Sequence, residues 1–180
     1  MGEEYEKLVE ILAAATDDNF YLDSSRSYFD CTNYYFEIDK DSTLQKRGPS
    51  KENRRDPIVG MGLLLDAQML PVGMKIFPGN ESEKPVMRDL IHDLKSRNNI
   101  KGRTIQIADK GLNCAKNSIE AIDNGDGYLF SKSVKTLPER ERQWVLLDDG
   151  FETVFDQNGE PVYKIKECID TFTYSYKDDY

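Results

Sequence analysis

Imidazole is almost missing from this chain of 180 residues, whose single histidine is His92. That scarcity removes most metal sites built on histidine and any nucleophile triad that needs a histidine base. His92 itself falls in a segment that reads as helix, where a partly exposed residue without a site is expected. Cysteine is scarce as well: Cys31, Cys114 and Cys168 are scattered, odd in number and free of C-x-x-C spacing. Neither a zinc site nor a disulfide framework follows from such a set, and buried or incidental thiols are the expectation. No apolar stretch approaches the ~20 residues that cross a bilayer. The acidic opening, Met1-Gly2-Glu3-Glu4-Tyr5-Glu6-Lys7, lacks the basic start of a secretory signal. The chain therefore reads as soluble and intracellular, with no membrane partner. Positive charge is in deficit, since 24 Lys and Arg face 33 Asp and Glu for a net charge of −9. Phosphate neutralisation by Lys and Arg dominates nucleic-acid affinity, so this balance counts against such a partner unless the basic residues cluster.

They do cluster. Lys46-Arg47 and Lys51-Glu52-Asn53-Arg54-Arg55 flank Gly48-Pro49-Ser50 in a polar loop between two strand-like segments, a candidate phosphate-binding surface or an ordinary solvated loop. The length supports one main domain with an appendage, and ten Tyr and eight Phe supply large packing groups. From Glu3 to Ala15, Tyr5, Leu8, Val9 and Leu12 share a helical face. Ser27 to Ile38 is aromatic and reads as strand. Ile58 to Leu65 is nearly all apolar, as in a strand covered on both faces. Its Gly60 and Gly62 fall on one face and leave room for close approach. Leu70 to Phe77 returns after a short connection, which predicts an antiparallel hairpin. Ser82 reads as the cap of a helix whose stripe is Val86, Met87, Leu90, Ile91 and Leu94. Thr104 to Ala108 is a further strand, Cys114 to Asp123 a helix with Ile119 and Ile122 inward, and Tyr128 to Phe130 a fifth strand. Beyond Val134, Thr136 and Glu139 fit a capping box opening a charged helix in which Trp144 is a packing anchor. Phe151 to Phe155 and Val162 to Lys166 flank the hairpin turn Asp156-Gln157-Asn158-Gly159, and Thr171 to Tyr176 is strand-like.

Two aspartates stand out within this order: Asp30 in Tyr28-Phe29-Asp30-Cys31-Thr32-Asn33, and Asp109 in Ile105-Gln106-Ile107-Ala108-Asp109-Lys110-Gly111. Helix crossovers demand parallel neighbours and short hairpins antiparallel ones, so the sheet is expected to be mixed. The simplest arrangement lays the Asp109 strand beside and parallel to the Asp30 strand, with the hairpin on the other side. Both carboxylates then emerge at one rim. Mg²⁺ prefers carboxylate and water oxygens and keeps positions open for substrate phosphates. By themselves, two strand-end aspartates are more often turn or cap residues than metal ligands. Lys110, Arg54 and Arg55 are candidates for phosphate contact, or ordinary surface charge. Thr32 and Asn33 are candidates to support the site by hydrogen bonds, or simple turn caps.

Taken in order, Asp30-Cys31-Thr32-Asn33, Tyr35-Phe36-Glu37, the basic loop with Lys46-Arg47-Gly48 and Arg54-Arg55-Asp56, Gly62-Leu63-Leu64-Leu65-Asp66, Leu70-Pro71-Val72-Gly73 through Phe77-Pro78-Gly79-Asn80, and Ala108-Asp109-Lys110-Gly111 resemble the catalytic core of DDE-type insertion-sequence transposases. The resemblance implies an α/β, ribonuclease H-like mixed five-stranded sheet flanked by helices over residues 27–135. An N-terminal helix or arm over 1–26 precedes it, and the start of a β-rich insertion over 136–180 follows. It further implies metal-dependent cleavage and joining of DNA phosphodiesters. Asp30 and Asp109 would be the first and second ligands of Mg²⁺ or Mn²⁺ in a two-metal site. The implied partners are transposon-end and target DNA, with a homodimer in the full-length protein and a cytoplasmic, nucleoid-associated location.

The family's third acid is a Glu on a later helix, within Tyr-x-x-Arg-x-x-x-Glu, and that pattern is missing here. Glu139, Glu141, Glu152, Glu160 and Glu167 all lack the context. The expectation is a fragment or a truncated, degenerate copy that binds metal feebly and lacks robust strand transfer. Two alternatives stay open, a stand-alone ribonuclease H-like nuclease and a catalytically dead binding module.

Overall fold

The computed structural model describes residues 2–49, 55–98, 100 and 102–169. The chain divides into two compact units, Met1–Ser131 and Lys132–Tyr180. In the first, helix α1 (Gly2–Asn19) precedes β1 (Arg26–Tyr35), β2 (Ile58–Leu65), β3 (Pro71–Pro78), α2 (Glu83–Arg97), β4 (Ile105–Ala108), α3 (Ala115–Asp123) and β5 (Gly127–Phe130). The strands form one five-stranded sheet in the order β3-β2-β1-β4-β5. β1 pairs antiparallel with β2 and parallel with β4, β2 antiparallel with β3, and β4 parallel with β5. This is the mixed arrangement expected from the sequence: the hairpin stands on one side of the Asp30 strand and the Asp109 strand on the other.

One face of the sheet makes the core. Ser27, Phe29 and Cys31 of β1 are buried there while Arg26, Asp30 and Thr32 are exposed, the alternation that a pleated strand imposes. Val86, Met87, Leu90, Ile91 and Leu94 of α2 pack on that face with Phe29, Leu64, Phe77 and Leu112, so the apolar stripe read from the sequence is the helix's inner face. Ser82 is the helix cap, its hydroxyl accepting from the backbone N–H of Lys84 at 3.4 Å. The two glycines of β2 sit under aromatic rings. A Cβ on Gly60 would lie 2.3 Å from the Phe77 ring, and one on Gly62 would lie 2.9 Å from the Phe29 ring.

Four local expectations are corrected. α1 runs through Thr16 to Asn19 instead of ending at Ala15, and Leu8, assigned to its inner face, is 53% exposed. The Asp30 strand ends at Tyr35, three residues short of Ile38, where the Ile38 amide turns back to the Phe36 carbonyl. Helix α3 does not bury Ile122, which is 56% exposed; Asn117, Ser118 and Ala121 face inward. The reason is a polar cleft of about 370 Å³ shared with Arg88, Lys95 and Gln106. Asn117 satisfies itself there by donating to the Leu112 carbonyl at 2.8 Å and accepting from Arg88 at 2.5 Å. The capping box fails as well. Thr136 sits in a 3-10 turn (Val134–Thr136) with its hydroxyl on the Ser133 carbonyl, and Pro138 is the N-cap of α4 (Glu139–Leu146).

The second unit holds α4 and a two-stranded antiparallel sheet of β6 (Glu152–Phe155) and β7 (Pro161–Ile165). The turn between them is the one expected, with Gly159 at φ 81°. Trp144 is half-buried, and the anchor around it is a cation instead of an apolar core. Lys166 Nζ lies 4.8 Å from the Trp144 and Phe151 ring centroids and donates to the Trp144 and Leu147 carbonyls at 2.8 Å. Thr171 to Tyr176, read as strand-like, lies outside the described residues. No described helix is long and apolar enough to cross a membrane.

Candidate functional site

The parallel β1–β4 ladder runs from Arg26↔Ile105 to Phe29↔Ala108. Asp30 follows Phe29 within β1 and Asp109 follows Ala108 just past the end of β4, so their backbones adjoin where neighbouring strands lie ~4.8 Å apart. Alternation puts Phe29 and Ala108 on the core face and Asp30 on the other, and Asp109 begins the turn that follows β4. Both aspartates are exposed. β1 continues past this point to Tyr35, whereas the β4 chain turns away through Lys110 and Gly111, so the rim opens at the two acids.

Each carboxylate is held from its own backbone. Asp30 Oδ1 accepts from the Cys31 N–H at 2.8 Å, and Asp109 Oδ1 accepts from the Gly111 N–H at 2.8 Å. The close fit at Gly111, where a Cβ would lie 3.2 Å from Asp109 Oδ1, explains a small residue there. The Leu112 amide closes the turn onto the Asp109 carbonyl at 3.3 Å, and the Ser131 amide reaches the Ala108 carbonyl at 3.3 Å. Among the described residues, Oδ2 of neither aspartate has a hydrogen-bond partner. Two oriented carboxylates with free oxygens suit a hard divalent cation. The described residues contain no group of three or more His, Cys, Asp or Glu arranged to hold a metal, so they fit such an ion as a partial ligand set.

The remaining candidates separate. Lys110 is exposed directly beside Asp109. Thr32 shares the Asp30 face, two residues along β1. Asn33 falls on the opposite face and lines a cavity of about 440 Å³ with Phe77, Ser82 and Gly111, so it does not join Asp30. Arg55 is exposed, while Arg54 lies outside the described residues, as does Lys51. The loop's Arg47 is spent on structure: it pairs with Asp41 at 2.6 Å and donates to the Asp39 carbonyl at 3.0 Å and the Arg55 carbonyl at 3.1 Å. Lys46 and Ile58 exchange backbone bonds that fasten the loop to β2. In the second unit, Glu139 is paired with Arg142 and Glu141 with Lys132.

Two further acids, Asp66 and Asp126, prove structural. Asp66, 1% exposed, accepts from the amides of Gln68, Leu70 and Asp23 at 2.8, 2.9 and 3.2 Å. Asp126 is buried with Lys95, the Thr104 amide at 3.0 Å and the Gln106 amide at 3.0 Å. Signals existed, since each aspartate follows a strand or a glycine turn, but burial at such positions has no local mark.

Strand order, pairing and helix placement together define an α/β, ribonuclease H-like core. Solved structures similar to it include transposase complexes. A Mos1 transposase paired-end complex with left transposon end matches at 14% identity and a TM-score of 0.40, covering 67% of this chain and 39% of that one. A piggyBac transposase synaptic complex with hairpin DNA matches at 8% identity and a TM-score of 0.47, covering 86% and 35%. A Mos1 mariner paired-end complex with Mn matches at 15% identity and a TM-score of 0.40, covering 67% and 39%. The chain thus spans at most about two-fifths of these proteins' length. No protein-family model and no curated protein matches it.

Proposed function

We propose that this chain carries the catalytic-core portion of a DDE-type insertion-sequence transposase. In this reading Asp30 and Asp109 supply two carboxylates to a Mg²⁺ or Mn²⁺ site acting on DNA phosphodiesters. The observation that supports the reading is the parallel β1–β4 pairing up to Phe29↔Ala108, the residues that immediately precede the two aspartates. Like charges at one rim repel, and a cation between them removes that cost. When bound, the metal polarises the phosphodiester and activates the attacking oxygen. The chain's own residues prepare for it: the Cys31 and Gly111 amides orient the carboxylates, and Lys110, Arg54 and Arg55 meet backbone phosphates. In the whole protein the partners are transposon-end and target DNA, with a homodimer as the working unit in the nucleoid-containing cytoplasm.

That no three potential ligands cluster among the described residues supports a second reading, a catalytically silent binding module. Mn²⁺ titration followed by paramagnetic broadening of amide NMR signals tests both. The transposase reading expects selective broadening around Phe29–Asp30 and Ala108–Lys110, lost in both Asp30→Asn and Asp109→Asn. Broadening spread over the acidic surface, or unchanged by either substitution, overturns it. With two ligands, no site-specific DNA cleavage by the purified 180-residue chain is expected, and observed cleavage would refute the partial ligand set.

A further inference from the structure

Along β1 the non-core face presents Asp30, Thr32 and Tyr34 in sequence, each exposed. Tyr34 is 48% open, four residues from Asp30 and so ~13 Å along the strand. Its hydroxyl donates to Met61 Sδ of the neighbouring β2 at 3.8 Å. That tether holds the phenol tip against the sheet while about half of the side chain remains open to solvent. A large aromatic surface, restrained at one end and in line with Asp30 along β1, is a platform on which an unpaired base can stack. Stacking of this kind is sequence-tolerant because every base has a π-face. Beyond Asp30 the open row carries only the neutral side chains of Thr32 and Tyr34.

We infer that Tyr34 is a base-stacking residue that holds a single-stranded deoxynucleotide beside the Asp30–Asp109 rim. The inference rests on the metal-site reading above and adds a substrate form, an unpaired strand extended along β1. A duplex base stays in its own stack and offers no face to Tyr34.

The test is fluorescence anisotropy with short single-stranded deoxyoligonucleotides in Mn²⁺, using the parent chain, Tyr34→Leu, Tyr34→Phe and Asp30→Asn. Tyr34→Leu keeps apolar bulk on the sheet without a ring, and Tyr34→Phe keeps the ring without the tether. Tyr34→Leu is expected to weaken binding by roughly tenfold, the order of one base–aromatic stack, and Tyr34→Phe by far less. An oligonucleotide series with one abasic site moved along the strand should contain a position at which parent and Tyr34→Leu bind equally. Tyr34→Leu within twofold of the parent, an equal loss on every abasic ligand, or no binding by the parent overturns the inference. The failures are distinguishable. Oligonucleotide binding that responds to Mn²⁺ and to Asp30→Asn but not to Tyr34→Leu sinks the stacking alone, whereas binding indifferent to both Mn²⁺ and Asp30→Asn sinks the metal reading.

Discussion

Asp66 closes the β2–β3 turn with one carboxylate spread over three backbone amides, and Met69 takes the left-handed conformation, φ 65°, that this tight path requires. Asp66→Ala would strand those amides, and a buried group stripped of its partner costs about 1–3 kcal/mol. Urea unfolding of the first unit should show a loss of at least that size, with Asp66→Asn less severe because one acceptor survives. A denaturation midpoint unchanged in Asp66→Ala would contradict this role. Asp156 plays the same part in the β6–β7 turn, and its pKa is lowered chiefly by the Glu160 amide, against desolvation and with help from Asn158 and Gly159. A carboxyl whose folded pKa is depressed adds stability above its unfolded value, here 3.8, and loses it as pH falls through the folded one. The hairpin should therefore stay intact through the ordinary carboxylate range. The Asn158 and Glu160 amide shifts should titrate with a midpoint below 3.8, and in Asp156→Ala that transition should vanish. Only the exposed member of this pair of turn acids was legible in the chain, because Asn-Gly turn chemistry is local whereas the burial of Asp66 depends on the distant Asp23 amide.

Among the elements, β2 and α2 were read most completely, since an unbroken apolar run and a 3.6-residue stripe each describe their own packing. Gly60 pairs with Phe77 across β2 and β3, and the ring occupies the space a side chain would need. Gly60→Ala should cost about 1–3 kcal/mol by overpacking. Because the two residues touch, Gly60→Ala with Phe77→Leu should lose less than the sum of the singles; strict additivity in thermal or chemical unfolding would refute the ring's position as the cause. The inner face of α3 has no local signature because its neighbours set it: Arg88 and Gln106 are polar, and Asn117 matches them better than Ile122 would. The Thr136 capping box failed for a related reason. The motif has the right residue types at the right spacing, but Pro138 supplies the extended conformation before Glu139, and the Thr136 hydroxyl bonds backward.

On the scale of the whole molecule, a net charge of −9 means that any DNA affinity must come from a local concentration of cations. Arg47 is committed to Asp41 and two carbonyls, which leaves Lys110, Arg54 and Arg55 as the phosphate-contact candidates. Reversing charge at both arginines should weaken DNA association at every sequence and flatten the dependence of log K on log salt by about one for each phosphate no longer neutralised; an unchanged slope removes them from the interface. The chain alone determined which segments become strands and helices, because apolar periodicity and turn chemistry are written within a few residues. It also determined that Asp30 and Asp109 end strand-forming runs, and that crossover lengths force a parallel pair beside a hairpin. Only the tertiary structure decided that the residues preceding the two acids pair in parallel, that Asn33 turns to the face opposite Asp30, and that Asp66 and Asp126 are buried while Arg47 is neutralised. A side chain's partners across a sheet are fixed by pairing and packing between segments dozens of residues apart, and no local pattern encodes them.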